Sequence, residues 1–170
     1  MQITEDVQAA INRQINQEFL AFYRYLAAAA YFETTPYGGF AQWMRLQADE
    51  EHSHAMKFFD YIIDRRGSVQ LDALPAPEHT YDGPLSVFEQ SLSWEQEVTE
   101  KINNIYKVAQ DAKDFATTSF LNWFVDEQVE EEKTADDWIE RLKLAGDDPV
   151  ALLRLDAEAA TRSATPNPAA

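Results

Sequence analysis

The stretch Ala48-Asp49-Glu50-Glu51-His52-Ser53-His54 lies near the middle of a segment, residues 40–66, that contains neither glycine nor proline. Apolar residues return every three or four positions on both sides of the stretch, which predicts a helix over about 39–66. Glu51 and His54 are three positions apart and therefore share one helix face. That face is also the apolar stripe, which consists of Phe40, Met44, Gln47, Glu51, His54, Phe58 and Ile62. A carboxylate and an imidazole are thus predicted to point into the core.

The same periodicity extends on both sides of this segment. It predicts helices over about 5–34, 85–112 and 114–145, and the polar cluster at 110–114 divides the last two. A short fifth helix is predicted to begin at Pro149, after a glycine and an Asp N-cap. No alternating strand pattern of useful length occurs, so the predicted fold class is all-α, with four long helices in one bundle.

The connection between the second and third helices is long. It covers residues 67–83, and an extended chain of that length reaches about 56 Å. A helix of the predicted size is only about 42 Å long. The connection can therefore cross the whole bundle, which would make the second and third helices parallel.

Each long helix carries a glutamate in the middle of its apolar stripe. The four residues are Glu18, Glu51, Glu95 and Glu131. Because each lies near the centre of its helix, the four would share one layer of the bundle, whichever way the helices run. Ionised carboxylates that are buried together without compensation cost several kcal/mol each.

A bound cation is the simplest compensation for this layer. Carboxylate oxygens with one imidazole suit iron or manganese, although the ligands alone do not exclude zinc. Taken singly, such a glutamate more often packs its stem in the core and keeps its head in water, and a lone His54 is more often a core histidine. The four glutamates together with the Glu51-x-x-His54 pair favour the metal site.

Composition and charge exclude several classes of partner and of metal site. Thirty acidic and 14 basic residues give a formal charge of −16, which disfavours nucleic-acid and membrane-surface partners. The chain has no cysteine, which excludes disulfides, thiolate zinc sites and iron–sulfur clusters. The N-terminus is acidic and lacks the apolar run of a secretory signal, and no apolar stretch is long enough for a membrane span, so we expect a cytoplasmic protein. One domain is expected over 1–161, with a disordered tail at 162–170.

With Glu18, Glu51-x-x-His54, Glu95 and Gln128-x-x-Glu131 in place, the chain resembles the bacterial non-haem ferritins, and it looks most similar to those of cyanobacteria. The resemblance covers roughly residues 3–158. It implies a ferritin-like four-helix bundle with a long second-to-third-helix crossover and a short fifth helix. It also implies a homo-oligomeric cage of 24 subunits that oxidises Fe(II) with O2, or with H2O2, and stores ferric mineral.

The resemblance also implies site residues. The first iron would be held by Glu18, Glu51 and His54. The second would be held by Glu51 as a bridge with Glu95 and, as a further candidate, Glu131, with Gln128 beside them. A third iron would lie at Glu50, Glu127 and Glu130, with Glu131 shared between the second and third sites. Tyr25 matches a tyrosine that donates an electron, although it is equally well interpreted as a core tyrosine.

Several alternatives stay open. Haem is not predicted, because His52 stands where bacterioferritins have their haem-ligating methionine, and His52 is better placed as a solvent-facing side chain. A diiron oxidase or peroxidase that retains its irons is the alternative function, and a non-enzymatic bundle is the other. The route by which iron enters is not indicated, because Thr117–Leu121 lacks the acidic residues that line channels in animal ferritins.

Overall fold

The computed structural model describes residues 2–164, and within them it contains five helices and no strand. The helices are α1 (Glu5–Phe32), α2 (Gly38–Asp64), α3 (Pro84–Asp111), α4 (Phe115–Ala145) and α5 (Pro149–Ala159). The predicted all-α class and the four long helices are confirmed, with ends that differ from the predicted ones by two residues at most. Residues 165–170 of the tail predicted at 162–170 lie outside the described range. None of the described helices is both long enough and apolar enough to cross a membrane.

The break between α3 and α4 falls at the predicted polar cluster. Lys113 adopts a left-handed conformation with φ +54°, which stops the helix. Asp114 then caps α4, because its side chain accepts a 3.2 Å hydrogen bond from the backbone N–H of Thr117. The Asp114 carboxylate also pairs with Arg65 at 2.9 Å, which ties the end of α2 to the start of α4. The cluster therefore separates α3 from α4 and also joins the end of α2 to the start of α4.

The long connection after α2 runs along α1 on a track of amides. Ser68, Gln70 and Asp72 donate their backbone N–H groups at 2.8–2.9 Å to side-chain oxygens of α1. The acceptors are Gln8, Asn12 and Asn16, one helical turn apart. Four helical residues rise about 6 Å and two extended residues span about 6.6–7 Å, so the two repeats match.

This track sets the topology. The connection starts beside Gln8 near the beginning of α1, and it ends where Tyr81 packs against Tyr31 with ring centroids 5.1 Å apart. It therefore follows α1 from one end of the bundle to the other, and α3 begins at the end where α2 also begins. The predicted crossover with parallel α2 and α3 is confirmed.

The core consists of two apolar clusters with a polar layer between them. Phe40, Met44 and Phe88 belong to the cluster at one end. Ile11, Phe58 and Phe124 belong to the cluster at the other end, where Phe58 stacks on Phe124 with centroids 4.0 Å apart. The buried polar side chains of the middle layer are Gln14, Glu18, Gln47, Glu51, His54, Glu95, Gln128 and Glu131. The two apolar clusters hold this layer away from water.

Helix α5 packs against the start of α2. The backbone N–H of Phe40 donates a 2.8 Å hydrogen bond to the Asp156 carboxylate, and Arg141 of α4 pairs with Glu158. A Cβ at Gly39 would lie 1.8 Å from the backbone oxygen of Asp156, so only glycine allows this approach. The C-terminal end of α5 is thereby fixed beside α2.

Candidate metal centre

Glu18, Glu51 and His54 meet in the polar layer. Each offers one ligand atom, and these atoms all lie within 4.8 Å of one another. Glu18 is 0%, Glu51 1% and His54 4% exposed, so water screens none of the three. Glu51 and His54 come from adjacent turns of α2, while Glu18 comes from α1, which packs against α2 along its length. Within residues 2–164 this is the only such group of three ligating side chains.

Glu95 and Tyr25 lie in the same layer. The Tyr25 hydroxyl donates a 2.5 Å hydrogen bond to Oε1 of Glu95. The Gln128 amide donates to the other oxygen of Glu95 at 3.3 Å and also to the Glu95 backbone carbonyl at 3.1 Å. Both oxygens of this buried carboxylate therefore have a donor, and three helices fix its orientation.

Two glutamines that the sequence did not single out as site residues hold the other carboxylates. The Gln47 amide donates at 2.8 Å to Glu131 and at 3.2 Å to Glu51, which links α2 to α4. The Gln14 amide donates at 2.7 Å to Glu18. The signal was a repeated spacing, since a glutamine precedes the buried glutamate by four positions in both α1 and α2.

Two carboxylate oxygens in the trio remain without a donor. Oε2 of Glu18 and Oε2 of Glu51 are buried and accept no hydrogen bond from any residue in the described part of the chain. Nδ1 of His54 lies 3.5 Å from Glu51 Oε2, which is long for a hydrogen bond. Buried polar atoms are nearly always satisfied, so this pair of oxygens indicates a cation site.

The layer perturbs the protonation of its own members. Burial and the charge of Glu51 raise the pKa of Glu18 to about 8. Burial and the charges of Glu51 and Glu50 raise the pKa of Glu131 to about 8. Burial alone would lower the pKa of His54, but Glu51 and the other carboxylates outweigh it and raise that pKa to about 9. In the absence of a cation, protons neutralise the layer at neutral pH.

The Glu95 side of the layer is shifted in the same direction. Burial, then the charges of Glu51 and Glu131, raise the pKa of Glu95 well above its ordinary value, although Tyr25 and Gln128 act against the shift. Burial and the nearby Glu95 carboxylate raise the pKa of the Tyr25 phenol well above its ordinary value. Tyr25 is therefore a neutral hydrogen-bond donor throughout the physiological range.

The residues expected to form a third iron site are less enclosed. Glu50 and Glu127 are half-buried and Glu130 is exposed. Burial and the charges of Glu130 and Glu50 raise the pKa of Glu127, so the three carboxylates lie within electrostatic range of one another. Their ligand atoms do not gather as closely as those of the trio. Glu50 also pairs with Arg162, a contact that the sequence did not indicate.

Two of the expected residues lie at the edge of the layer. Glu127, expected at the third iron site, only borders the buried face of α4, which Gln128 and Glu131 carry. His52 faces solvent as expected, with its ring near Phe19 and Phe22 at centroid distances of 6.0 and 5.8 Å.

Comparison with known proteins agrees with this architecture. A family model described as a ferritin-like domain matches residues 8–145. The bacterial non-heme ferritin of Staphylococcus epidermidis is 43% identical over 161 residues, covering 95% of this chain and 97% of the relative. The corresponding protein of Staphylococcus aureus is 42% identical with the same coverage.

Solved structures agree as well. An open pore ferritin from the hyperthermophilic archaeon Archaeoglobus fulgidus superposes with a TM-score of 0.93 at 46% identity, over 95% of this chain and 98% of that one. An engineered closed form of the Archaeoglobus fulgidus protein superposes with a TM-score of 0.94 at 46% identity, over 96% and 99% of the two chains.

Proposed function

Because this chain belongs to the ferritin family, we propose that it stores iron by oxidising Fe(II) with O2 inside each subunit and depositing the ferric product as mineral in a cage of 24 copies. H2O2 is the alternative oxidant. In this proposal the protein acts in the cytoplasm. Its partners are iron, the oxidant and other copies of the chain, and it binds neither nucleic acid nor a membrane. The more specific likeness to cyanobacterial ferritins stays a prediction.

One observation carries the proposal. Oε2 of Glu18 and Oε2 of Glu51 are buried beside His54 and accept no hydrogen bond from the described residues. Hydrogen bonds to two glutamines already fix one oxygen of each carboxylate. The other oxygen of each is left for a cation, and such an arrangement of hard oxygens with one imidazole suits iron.

The proposed ligands divide over two iron ions. Glu18, Glu51 and His54 hold the first. Glu51 bridges to the second, which Glu95 and Glu131 hold from α3 and α4. Gln128 orients Glu95 through its 3.3 Å hydrogen bond, so it is a positioning residue.

The chemistry follows from this placement. Each Fe(II) gives up one electron on oxidation, so a bridged pair supplies two electrons, which together with two protons reduce one O2 molecule to H2O2. Protons on Glu18 and Glu131 must leave when Fe(II) binds, and the carboxylates that remain favour the ferric product. Tyr25, hydrogen-bonded to Glu95, is placed to give a third electron. A third Fe(II) would give the fourth, and with two more protons the peroxide would then be reduced to water.

The ferric product then leaves by a third site at Glu50, Glu127 and Glu130. Glu131 is shared with this site, because it lies between the buried layer and the exposed Glu130 one residue away. The weaker enclosure of these residues favours transient occupancy. We therefore expect turnover into mineral, with the iron acting as substrate.

The test adds a large excess of Fe(II) aerobically to metal-free protein, follows ferric absorbance and sizes the product by light scattering. Fast oxidation with a soluble, iron-filled particle of cage size supports storage. Oxidation that stops near two irons per subunit identifies instead a diiron oxidase or peroxidase that retains its irons. Glu140→Gln, an exposed carboxylate on α4, is the control and should behave as the parent.

A further inference from the structure

The chain beyond α5 turns back onto α2. The backbone N–H of Thr161 donates to the Glu158 carbonyl at 2.9 Å, and the N–H of Arg162 donates to the Ala159 carbonyl at 3.2 Å. Because Asp156 anchors α5 to Phe40, this terminal turn has a fixed position. It delivers the Arg162 side chain to the middle of α2.

The Arg162 guanidinium lies between an aromatic ring and a carboxylate of α2. Its central carbon is 4.4 Å from the centroid of Trp43, and its Nη2 donates to Oε2 of Glu50. The side chains of Arg162 and Glu50 are only 21% and 17% exposed, so solvent screens this pair weakly. Nη1 of Arg162 is buried and has no hydrogen-bond partner among the described residues.

Arg162 is thereby placed among carboxylates assigned to iron. Glu50 belongs to the proposed third site, and the charge of Arg162 also acts on Glu131, which the second and third sites share. The charges of His54 and Lys57 act on Glu127, so three cationic groups lie near these carboxylates. Of the three, Arg162 pairs directly with Glu50.

We propose that Arg162 is a gate for the third iron site: it binds Glu50 in the iron-free subunit, and a divalent cation that takes Glu50 displaces it. The inference rests on the proposed function, since it uses the third site at Glu50, Glu127 and Glu130. A guanidinium carries one charge and donates from a fixed plane, whereas Fe(II) carries two charges and accepts several oxygens at once. Iron therefore displaces Arg162 from the Glu50 carboxylate when it binds, and Arg162 pairs with Glu50 again when iron leaves.

Two consequences follow from this competition. Removing the Arg162 charge should tighten cation binding at the third site, because nothing then has to be displaced. By reciprocity, iron at the third site should loosen the turn that carries Arg162. The first consequence is measured as the Fe(II) affinity of the third site, and the second as hydrogen exchange at the amides of the turn that carries Arg162. Neither measurement depends on oxidation of iron.

The experiment titrates metal-free protein with Fe(II) under strict anaerobic conditions and follows heat, which counts the sites without turnover. Glu130→Ala identifies the third equivalent by abolishing it. We expect Arg162→Gln to bind that equivalent about 5- to 10-fold more tightly than the parent, at the lower end of couplings between competing ligands. Arg162→Lys, which keeps the charge, should stay closer to the parent. Hydrogen exchange at the amides of Thr161 and Arg162 should accelerate when the third equivalent binds to the parent, and should not change in Glu130→Ala.

A matched control separates charge from packing. Arg24 of α1 also lies over a tryptophan, 5.8 Å from the centroid of Trp94, and it also pairs with a carboxylate, Glu97, at 2.8 Å. Arg24→Gln should leave third-site affinity unchanged. An equal gain in Arg24→Gln, no gain in Arg162→Gln, or no change in exchange would each overturn the gate.

The outcomes also separate the gate from the proposed function. If the parent oxidises Fe(II) quickly and Arg162→Gln binds as the parent does, the gate is wrong and the ferroxidase proposal stands. If the parent binds only two equivalents and oxidises them, the third site and the gate are both wrong. If the parent neither binds nor oxidises Fe(II), the proposed function itself fails, and the gate with it.

Discussion

The hydroxyl of Tyr25 and Oε1 of Glu95 are joined by a 2.5 Å hydrogen bond between two buried side chains that lie 70 positions apart in the chain. The bond makes the tyrosine part of the carboxylate layer, since it lowers the pKa of Glu95 against the larger effect of burial. It also gives the phenol a direct contact with a proposed ligand of the second iron.

Tyr25→Phe tests this contact. Loss of the donor should cost about 1–2 kcal/mol of folding free energy. It should also slow the first turnover of Fe(II) several-fold, because Glu95 becomes harder to ionise. Rapid-freeze electron paramagnetic resonance should show a transient tyrosyl radical in the parent and none in the variant. Tyr31→Phe, a ring outside the site, is the control; a radical that disappears in both variants, or in neither, contradicts the role of Tyr25.

The bridging role of Glu51 gives a second prediction. Glu51→Ala should abolish rapid oxidation, because it removes the shared ligand of both irons. Glu130→Ala should leave the first rapid phase intact and change later phases, because it touches only the third site. Stopped-flow absorbance at increasing Fe(II) resolves the two phases. An equal loss of the first phase in both variants would contradict the division into a bridged pair and an exit site.

The parts of the fold that could be predicted were those with a strong local signal. A glutamate in the middle of an apolar stripe is rare enough to stand out, so Glu18, Glu51, Glu95 and Glu131 were placed in one layer, and all four are buried there. The divided helix at 110–114 was likewise marked by its own polar residues.

The parts that could not be predicted depend on contacts between distant segments. The amide track of Gln8, Asn12 and Asn16 looks like any polar helix face until the connection lies on it. Arg162 gives no sign of its contact with Glu50, because 112 residues separate the two. The spacing of Gln47 and Glu51 indicates a contact within α2, but it gives no sign that the same amide also donates to Glu131 of α4.

Gln47 nevertheless bears a prediction of its own. It donates to both Glu51 and Glu131, so Gln47→Leu would leave two buried carboxylates without their shared donor. We expect the metal-free variant to lose about 1–3 kcal/mol of folding free energy. Iron affinity should fall as well, because Gln47 no longer fixes the positions of the Glu51 and Glu131 carboxylates relative to each other.

Denaturant unfolding of metal-free protein and anaerobic Fe(II) titration measure these two effects. Gln110→Leu, an exposed glutamine at the end of α3, is the control and should change neither. Unaltered iron affinity in Gln47→Leu would show that the amide only fills space between α2 and α4.

Because the buried carboxylates of the middle layer hold protons at neutral pH, we expect the stability of the metal-free protein to fall as the pH rises. The pKa of Glu18 and that of Glu131 are raised to about 8, above the value of an exposed glutamate. Between about pH 4.5 and 8 the folded protein therefore keeps protons that the unfolded chain has lost. The pKa of His54, raised to about 9, acts in the same direction above about pH 6.5. The free energy of unfolding of the metal-free protein should fall as the pH rises from 5.5 to 8.5, by on the order of 3 kcal/mol for each group acting alone and by less than the sum because the groups titrate together.

Cation binding should reverse this slope. A divalent ion replaces the protons, and its affinity rises with pH as Glu18 and Glu131 become easier to ionise. Chemical denaturation at several pH values, with and without anaerobic Fe(II), compares the two slopes. Glu18→Gln removes one titrating group and should flatten the metal-free curve, whereas Glu140→Gln on the surface should leave it unchanged. A metal-free protein that grows more stable over this range would mean that the buried carboxylates are ionised and paired in the absence of iron, and that the layer is neutralised by something other than protons.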